Sequence, residues 1–224
     1  LIVGANGTGK STALKVLEFV KNFNENDFFK IISADVKGLE DNVKITIVWD
    51  SSQKYIVDWI FHQDSSASVY ENFTGKDSAP TDAEKQKQRN LVRSFTIFSL
   101  ESEKIASAVP VQANIILEEN GRGLAGVLLQ LQTSEDEKFE ELNQEIQRWF
   151  PEYERITFEF SENSEVSFLL RTKFGKHKIK AKDLSDGTLL ALAYLTLAYL
   201  PNPPKIVAFE EPEKGIHPRL LRNI

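Results

Sequence analysis

One octapeptide near the start of the sequence limits the folds open to this chain more than any other feature. Gly4-Ala5-Asn6-Gly7-Thr8-Gly9-Lys10-Ser11 matches the pattern G-x-x-x-x-G-K-[ST]. A strand-like segment at 1–3 precedes it, and a helix-like segment at 11–20 follows it. A phosphate chain requires this context, because backbone N–H groups in a tight loop and at a helix N-terminus must converge on it. The pattern therefore predicts a phosphate-binding loop in an α/β fold.

The residue types in this loop suit a bound nucleotide. Lys10 can reach the β- and γ-phosphates, which makes it a candidate catalytic residue, and the Ser11 hydroxyl can ligate Mg²⁺. The candidate nucleotide contacts in this part of the chain are Gly4, Asn6, Gly7, Thr8, Gly9, Lys10, Ser11 and Thr12. A purely structural glycine turn is the alternative, but four fixed positions seldom coincide by chance.

A second candidate site follows a short apolar segment, 206–209, which indicates a buried strand. Glu210, Glu211 and Glu213 come directly after it. Ligands of open α/β sheets bind at the carboxyl ends of strands, so these carboxylates are expected to face the phosphates. Glu210 is then a candidate metal ligand acting through water, and Glu211 is the candidate catalytic residue that polarises an attacking water. An exposed acidic turn is the alternative.

A third motif, Leu184-Ser185-Asp186-Gly187-Thr188, precedes a helix at 189–200 that is apolar nearly all round. Ser185 as N-cap and Asp186 in the first turn explain the motif by helix capping alone. Alternatively, the helix N-terminus points at a phosphate and Gly187 permits its close approach, so Ser185 and Gly187 are further candidate nucleotide contacts. The apolar helix is too short to span a bilayer, and no membrane insertion is expected.

Periodicity divides the rest of the chain into segments. Alternation at 43–49 and 55–61 predicts antiparallel strands, and strands are also expected at 155–160, 165–171 and 177–182. Helices are predicted at 91–100, 121–131 and 137–150. The predicted organisation is a phosphate-loop strand and helix at 1–27, an antiparallel β region at 28–75, a helical insertion at 76–154, and strands, apolar helix and acidic strand end at 155–224. The chain has no methionine and its first motif begins at residue 4, so we expect it to be an excerpt.

The charge of the chain bears on its partners. A formal net charge of −6 gives no global attraction to nucleic acid. Local attraction would have to come from the lysines that alternate in 171–182, which share one face if this segment is a strand. They are Lys176, Lys178, Lys180 and Lys182. A solvated face is the alternative to DNA contact. Tyr194, Trp149 and the phenylalanines lie on apolar stripes, which predicts core positions and no base stacking.

The three motifs, in this order, resemble those of the ATP-binding-cassette class of P-loop ATPases. Residues 184–188 look like the signature motif of that class, and Glu210-Glu211 look like its Walker B end with a catalytic glutamate. Within the class, the loop at 4–11 and the run at 210–218 are most similar to RecF-like and OLD-type predicted AAA-family ATPases. These are related to the structural-maintenance-of-chromosomes ATPases and are tied to DNA repair or phage defence.

The resemblance implies an α/β P-loop NTPase of the cassette class, with an antiparallel β region and a helical insertion between Walker A and the signature motif. It implies hydrolysis of ATP with Mg²⁺ in the cytoplasm. It also implies a homodimer that closes around two ATP molecules, in which Ser185 to Thr188 dock on the γ-phosphate held by the partner. A nuclease domain or partner is a further implied feature.

Some positions depart from the family pattern. Glu210 stands where an aspartate is usual, one methylene longer. Gln53 and Gln63 are the candidates for the family's Q-loop. His217 indicates a structural or dimer-contact residue, and the switch histidine is expected further along the chain.

Three other functions fit parts of the sequence. An ATP-binding subunit of a membrane transporter has similar motifs, but such subunits are more compact. A long-coiled-coil chromosome ATPase is disfavoured because no heptad pattern is sustained. A non-catalytic ATP-gated scaffold has no need for a water-activating carboxylate such as Glu211.

Overall fold

A computed structural model describes residues 94–212, the backbone of three strands between residues 43 and 74, and the single positions 81, 83, 86 and 90. The chain divides into two compact units, Leu1–Phe95 and Thr96–Ile224.

The described part of the first unit is an antiparallel sheet of three strands. They are β1 (Val43–Asp50), β2 (Lys54–Phe61) and β3 (Ala67–Thr74), in the order β1-β2-β3. Val43 pairs with Phe61, and Lys54 pairs with Thr74. The predicted strands at 43–49 and 55–61 are confirmed. The strand β3 was not predicted, because Glu71 interrupts its alternation of apolar residues.

The described part of the second unit combines four helices with two sheets. Its elements are β4 (Phe95–Phe98, which begins at the unit boundary), α1 (Ser102–Ile105), β5 (Val109–Pro110), α2 (Leu124–Ser134), α3 (Asp136–Trp149), β6 (Tyr153–Phe160), β7 (Glu165–Thr172), β8 (Lys178–Lys180), a 3-10 turn (Ala181–Asp183), α4 (Asp186–Tyr199) and β9 (Ile206–Phe209). β7 pairs antiparallel with β6 on one edge, and with β5 and β8 on the other. β4 pairs with β9 in a separate sheet.

The core of the second unit lies where helices pack on the larger sheet. Helix α3 packs on β6, on α2 and on α4. Its buried positions Phe139, Leu142 and Ile146 recur at helical spacing, and the ring of Phe139 stacks on Phe158 of β6 with centroids 6.1 Å apart. Fully burying each such side chain contributes about 1.5–3 kcal/mol relative to leaving it in water. The predicted helix at 137–150 is therefore confirmed, and Phe150 caps it just before Pro151.

Two predicted elements differ in the structure. Residues 95–98, predicted as the end of a helix, form β4 instead, because their short apolar run suits either state and pairing with β9 selects the strand. The helix predicted from residue 121 begins at Leu124, because Gly121 and Gly123 have φ of 90° and 94°, which a right-handed helix cannot contain.

None of the helices in the described ranges has both the length and the apolar character to cross a bilayer.

Candidate functional site

The two candidate carboxylates follow β9 where it meets β4. The backbone N–H of Glu210 donates to the carbonyl oxygen of Phe98 at 2.9 Å. Glu210 comes directly after β9 and Phe98 is the last residue of β4, so the final residues of both strands meet and the strands run parallel. Their carboxyl ends therefore share one edge, which is where α/β sheets bind ligands. Glu210 is half-buried there, and Glu211 is exposed.

Glu211 has a left-handed backbone, with φ of 47°. Such a conformation costs a residue with a Cβ about 1–2 kcal/mol. The other described non-glycine residues with positive φ are Ser164 and Lys176, which lie in the hairpin turns after β6 and β7. Glu211 instead follows β9, the strand that pairs with β4. Strained backbone of this kind concentrates at functional sites, so the conformation marks this strand end as a candidate site.

Aromatic contacts hold the end of β9 in place. The ring of Phe209 meets Tyr194 of α4 edge to face, with centroids 4.6 Å apart and planes at 83°. On its other side it contacts Phe98 of β4 at 6.0 Å. Each aromatic pair contributes about 0.5–1.5 kcal/mol beyond its burial. The position of Glu210 and Glu211 is therefore fixed by both β4 and α4.

The predicted signature residues form the N-terminus of α4. Ser185 is the N-cap, and its hydroxyl accepts a hydrogen bond from the Thr188 N–H at 3.2 Å. The Thr188 hydroxyl lies 2.8 Å from the Ser185 Oγ. Leu184 is buried, and its N–H donates to Ala181 at 3.1 Å, which anchors the chain before the helix. The capping interpretation is confirmed. Ser185 and Asp186 nevertheless remain exposed to solvent.

Helix α4 and strand β9 run in opposite directions. A connection of six residues, 200–205, joins them, and Tyr194 packs on Phe209 at the end of β9. The N-terminus of α4 and the carboxyl end of β9 therefore lie toward the same side of the unit. The helical rise places Ser185 about 13 Å along the axis from Tyr194. The signature residues and the carboxylates thus lie on the same side of the unit, but they are separated along the axis of α4.

The structure adds one candidate site residue, Ser99, that the sequence did not predict. Ser99 follows β4 directly, is exposed, and donates its backbone N–H to Glu119 at 2.9 Å. Because β4 and β9 are parallel, Ser99 lies at the same sheet edge as Glu210. The helix predicted for 91–100 concealed this position. The run Phe95-Thr96-Ile97-Phe98, rich in β-branched and aromatic residues and followed by serine, was the signal that could have found it.

The remaining predicted site residues lie outside the described residues. They are Gly4, Asn6, Gly7, Thr8, Gly9, Lys10, Ser11 and Thr12, the Q-loop candidates Gln53 and Gln63, and His217. Their roles stay predictions. Within the part that the structure describes, no three acidic or histidine side chains are grouped so as to hold a metal ion by themselves.

The four alternating lysines do not share one face, which corrects the sequence-based expectation. Only Lys178 and Lys180 lie in β8. Lys176 lies in the preceding turn with φ of 55°, and Lys182 belongs to the 3-10 turn. The strand is shorter than predicted because the 3-10 turn at 181–183 leads the chain into α4.

Two of these lysines are also neutralised by acids on β6. Lys176 bonds to Glu154 at 2.5 Å, and Arg171 bonds to the same carboxylate at 3.1 Å. The hydrogen bond from Lys176, with further help from Arg171, holds the pKa of Glu154 below its usual range. Lys180 bonds to Glu159 at 2.9 Å, and that hydrogen bond raises the pKa of Lys180.

The prediction that the aromatic residues are core holds for most of those described, but not for two. Tyr194 is buried and Trp149 is half-buried against the core. Phe174 and Phe160, in contrast, are 79% and 59% exposed. Both lie at ends of strands in the larger sheet, beyond the helices that cover it.

The sequence matches the model of a known protein family. The family model described as "AAA domain, putative AbiEii toxin, Type IV TA system" matches residues 1–224, which is the whole sequence. No curated protein matches the chain.

Proposed function

Because the chain belongs to this AbiEii-type AAA domain family, and is therefore a P-loop ATPase domain of α/β fold, we propose that it hydrolyses ATP as a cassette-class head that closes an ATP-dependent dimer. One observation carries the proposal. The carboxylates of Glu210 and Glu211 lie at the shared carboxyl edge of parallel strands, on the side of the unit where α4 exposes its N-terminus. That side offers both a water-activating group and a phosphate-docking group.

In this proposal, Glu211 accepts a proton from the water that attacks the γ-phosphorus, while the bond from that phosphorus to the β–γ bridging oxygen breaks and ADP leaves. Its exposure lets water reach the carboxylate, and its fixed backbone keeps the carboxylate at the sheet edge. Lys10 binds the β- and γ-phosphates.

The ligands for Mg²⁺ would be the Ser11 hydroxyl and, through water, Glu210. The half-buried carboxylate of Glu210 fits this ion, which is usually bound by one or two carboxylates together with substrate phosphates. When bound, the ion would neutralise charge on the phosphate oxygens.

The dimer rests on the N-terminus of α4. Its first amide groups carry a partial positive charge that favours an anion, and Gly187 leaves room for one. We propose that Ser185 and Gly187 contact the γ-phosphate of the ATP bound to the partner. Ser185 is exposed, which leaves this residue open to contact with the partner's phosphate.

The test is Glu211→Gln, which keeps the size of the side chain but removes the base. Phosphate release should fall at least about 10²-fold, as expected for the loss of a positioned general base. ATP binding should persist, and an ATP-dependent dimer should accumulate on a sizing column. Glu213→Gln, two residues away, is the matched control and should hydrolyse normally. Loss of hydrolysis in Glu210→Gln but not in Glu211→Gln would reverse the two roles. Normal hydrolysis in both would mean that another residue is the base, and no phosphate release by the wild type would support the non-catalytic ATP-gated scaffold.

The biological setting proposed for this ATPase is DNA repair, DNA processing or phage defence.

The family description names a putative toxin of a Type IV TA system, so ATP-dependent inhibition of growth is a second candidate function. Induced expression of the wild type should then slow growth, and Lys10→Ala should restore it. Equal growth with both proteins would exclude an ATP-dependent toxin.

A further inference from the structure

The turn between β7 and β8 exposes an aromatic ring. Phe174 is 79% exposed, more than any other large apolar side chain in the described part of the chain. Burying a phenylalanine contributes about 1.5–3 kcal/mol, so the fold gains little from one placed in water. A single exposed apolar residue would need no explanation by itself. The backbone and the charges around Phe174 supply the further argument.

The backbone on both sides of Phe174 is held by hydrogen bonds. The Thr172 hydroxyl donates to the Phe174 carbonyl at 2.7 Å, and the Lys173 N–H donates to Glu152 at 2.8 Å. The Thr172 N–H donates to His177 at 2.8 Å and closes the turn. The ring is therefore presented by an ordered turn, which lowers the entropy lost when a ligand binds.

Gly175 gives this turn its shape. Its φ is 72°, and a Cβ there would lie 2.8 Å from the imidazole ring of His177. A side chain at this position would be strained and would displace His177, so the glycine allows the turn to close tightly beside Phe174.

The ring lies within the most basic run of an acidic chain. Residues 173–182 contain five lysines and no acidic residue, whereas the whole chain has a net charge of −6. Glu154 and Glu159 neutralise two of these lysines, Lys176 and Lys180. The other three are exposed and form no ion pair with a described residue: Lys173, Lys178 and Lys182. Lys173 adjoins the exposed ring in sequence, Lys178 begins the strand that follows the turn, and Lys182 lies in the 3-10 turn after that strand.

We propose that this hairpin turn binds single-stranded nucleic acid, with a base stacked on Phe174 and phosphates held by Lys173, Lys178 and Lys182. An exposed aromatic ring beside cations is the combination that binds single strands without sequence preference, because every base has a stacking face. A duplex is a poorer ligand, since its bases would first have to be unstacked at a cost of a few kcal/mol. The proposal does not depend on ATP hydrolysis.

The experiment is fluorescence anisotropy of a labelled thirty-residue oligothymidine with the full chain, over a series of salt concentrations. Phe174→Ala should weaken binding about 30-fold, the middle of the range for losing one stacked base. The triple variant Lys173→Gln, Lys178→Gln, Lys182→Gln should weaken binding and lower the slope of log K against log salt by about 2, since each lost contact to a single strand removes about 0.7.

Two matched controls test the location. Phe160→Ala removes the other exposed phenylalanine of the same sheet, and it should leave binding unchanged. Lys104→Gln, Lys138→Gln, Lys205→Gln removes the same charge from other parts of the unit, and it should retain the wild-type salt slope. Circular dichroism and the melting temperature report whether each variant is folded.

Three outcomes would overturn the proposal. The first is absence of oligonucleotide binding at any salt concentration. The second is an equal effect of Phe174→Ala and Phe160→Ala. The third is binding to phosphatidylglycerol vesicles without binding to oligothymidine, which would assign the turn to an anionic membrane surface instead.

Discussion

Asn143 joins a helix to a sheet through both ends of its side-chain amide. Its Nδ2 donates to the Phe139 carbonyl at 3.0 Å, and its Oδ1 accepts from the Ile156 N–H of β6 at 2.8 Å. The side chain is 1% exposed, so water does not replace these partners. Among the described strands β6 is the outer one of its sheet, and Asn143 satisfies an N–H on the edge that none of them covers.

Asn143→Ala should therefore lower the free energy of unfolding by about 1–3 kcal/mol, because the Ile156 N–H is left buried and unpaired. Urea denaturation followed by tryptophan fluorescence measures this difference. Gln144→Ala changes the next residue of the same helix, which is exposed, and should stay within about 0.5 kcal/mol of the wild type. Equal stability of the two variants would show that the amide contributes little.

Glu154 makes stability depend on pH. Lys176 and Arg171 hold its pKa below the usual range in the folded state. A lowered folded-state pKa stabilises the fold above the unfolded-state value, and that contribution disappears as pH falls through the lowered pKa. Glu154→Gln should thus lose less stability between pH 7 and pH 3 than the wild type does. Urea midpoints at the two pH values measure the loss, with Glu162→Gln as the exposed control. If the wild type and Glu154→Gln lost the same stability between the two pH values, the ion pairs would contribute no net stability.

At the scale of the element, helix α4 combines a buried body with an exposed start. Its residues from Thr188 to Leu197 are all buried, whereas Ser185 and Asp186 face solvent. Substitutions at Ser185 can therefore separate the role of the cap in folding from its proposed contact with the partner's phosphate.

Ser185→Asp keeps a side chain that caps well but places a negative charge where the phosphate should dock. It should unfold like the wild type and bind ATP as a monomer, but fail to dimerise with ATP. Ser185→Ala should lose about 1 kcal/mol of stability through the missing cap and still dimerise. Ser185→Arg should block the dimer by bulk. Sizing chromatography with ATP measures dimerisation, and a normal dimer with Ser185→Asp would leave Ser185 a cap only.

The sequence predicted those elements whose patterns are long or whose ends carry strong signals. The apolar stripe of α3 extends over more than two helical turns, so it fits only the helical period. The alternation in β1 and β2 extends over several residue pairs, so it fits only the period of a strand. β9 was predicted from its short apolar run before an acidic turn. β4 was missed because a four-residue run with three apolar side chains fits a helix or a strand equally, and only its partner strand β9, which begins 108 positions after β4 ends, decides between them.

The candidate site was predictable as a set of motifs, but its geometry was not. The pattern at 185–188 predicted a cap as well as a phosphate contact, and the structure shows the geometry of the cap. The parallel pairing that places Ser99 and Glu210 at one end of the sheet depends on β4, whose short run was assigned to a helix. The exposure of Phe174 was not predicted, because the phenylalanines were assigned to the core.

For the whole molecule, nucleotide binding is expected to depend on the loop at 4–11. Lys10→Ala removes the charge that binds the β- and γ-phosphates, so ATP affinity should fall strongly and hydrolysis should become undetectable. Isothermal titration with ATP measures the affinity, and Lys21→Ala is the control for loss of one positive charge. Unchanged affinity and rate would contradict the assignment of the phosphate loop.

Helix α4 would also couple the two ATP sites of the proposed dimer. It begins where the partner's nucleotide is proposed to dock, and Tyr194 presses on the strand that carries Glu211. Ten consecutive residues of this helix are buried. Because close-packed interiors transmit strain, a displacement at the start of the helix would be passed along it. Arrival of ATP in one protomer would thus adjust the glutamate of the other. The two active sites would then hydrolyse ATP cooperatively, with a Hill coefficient above one for ATP.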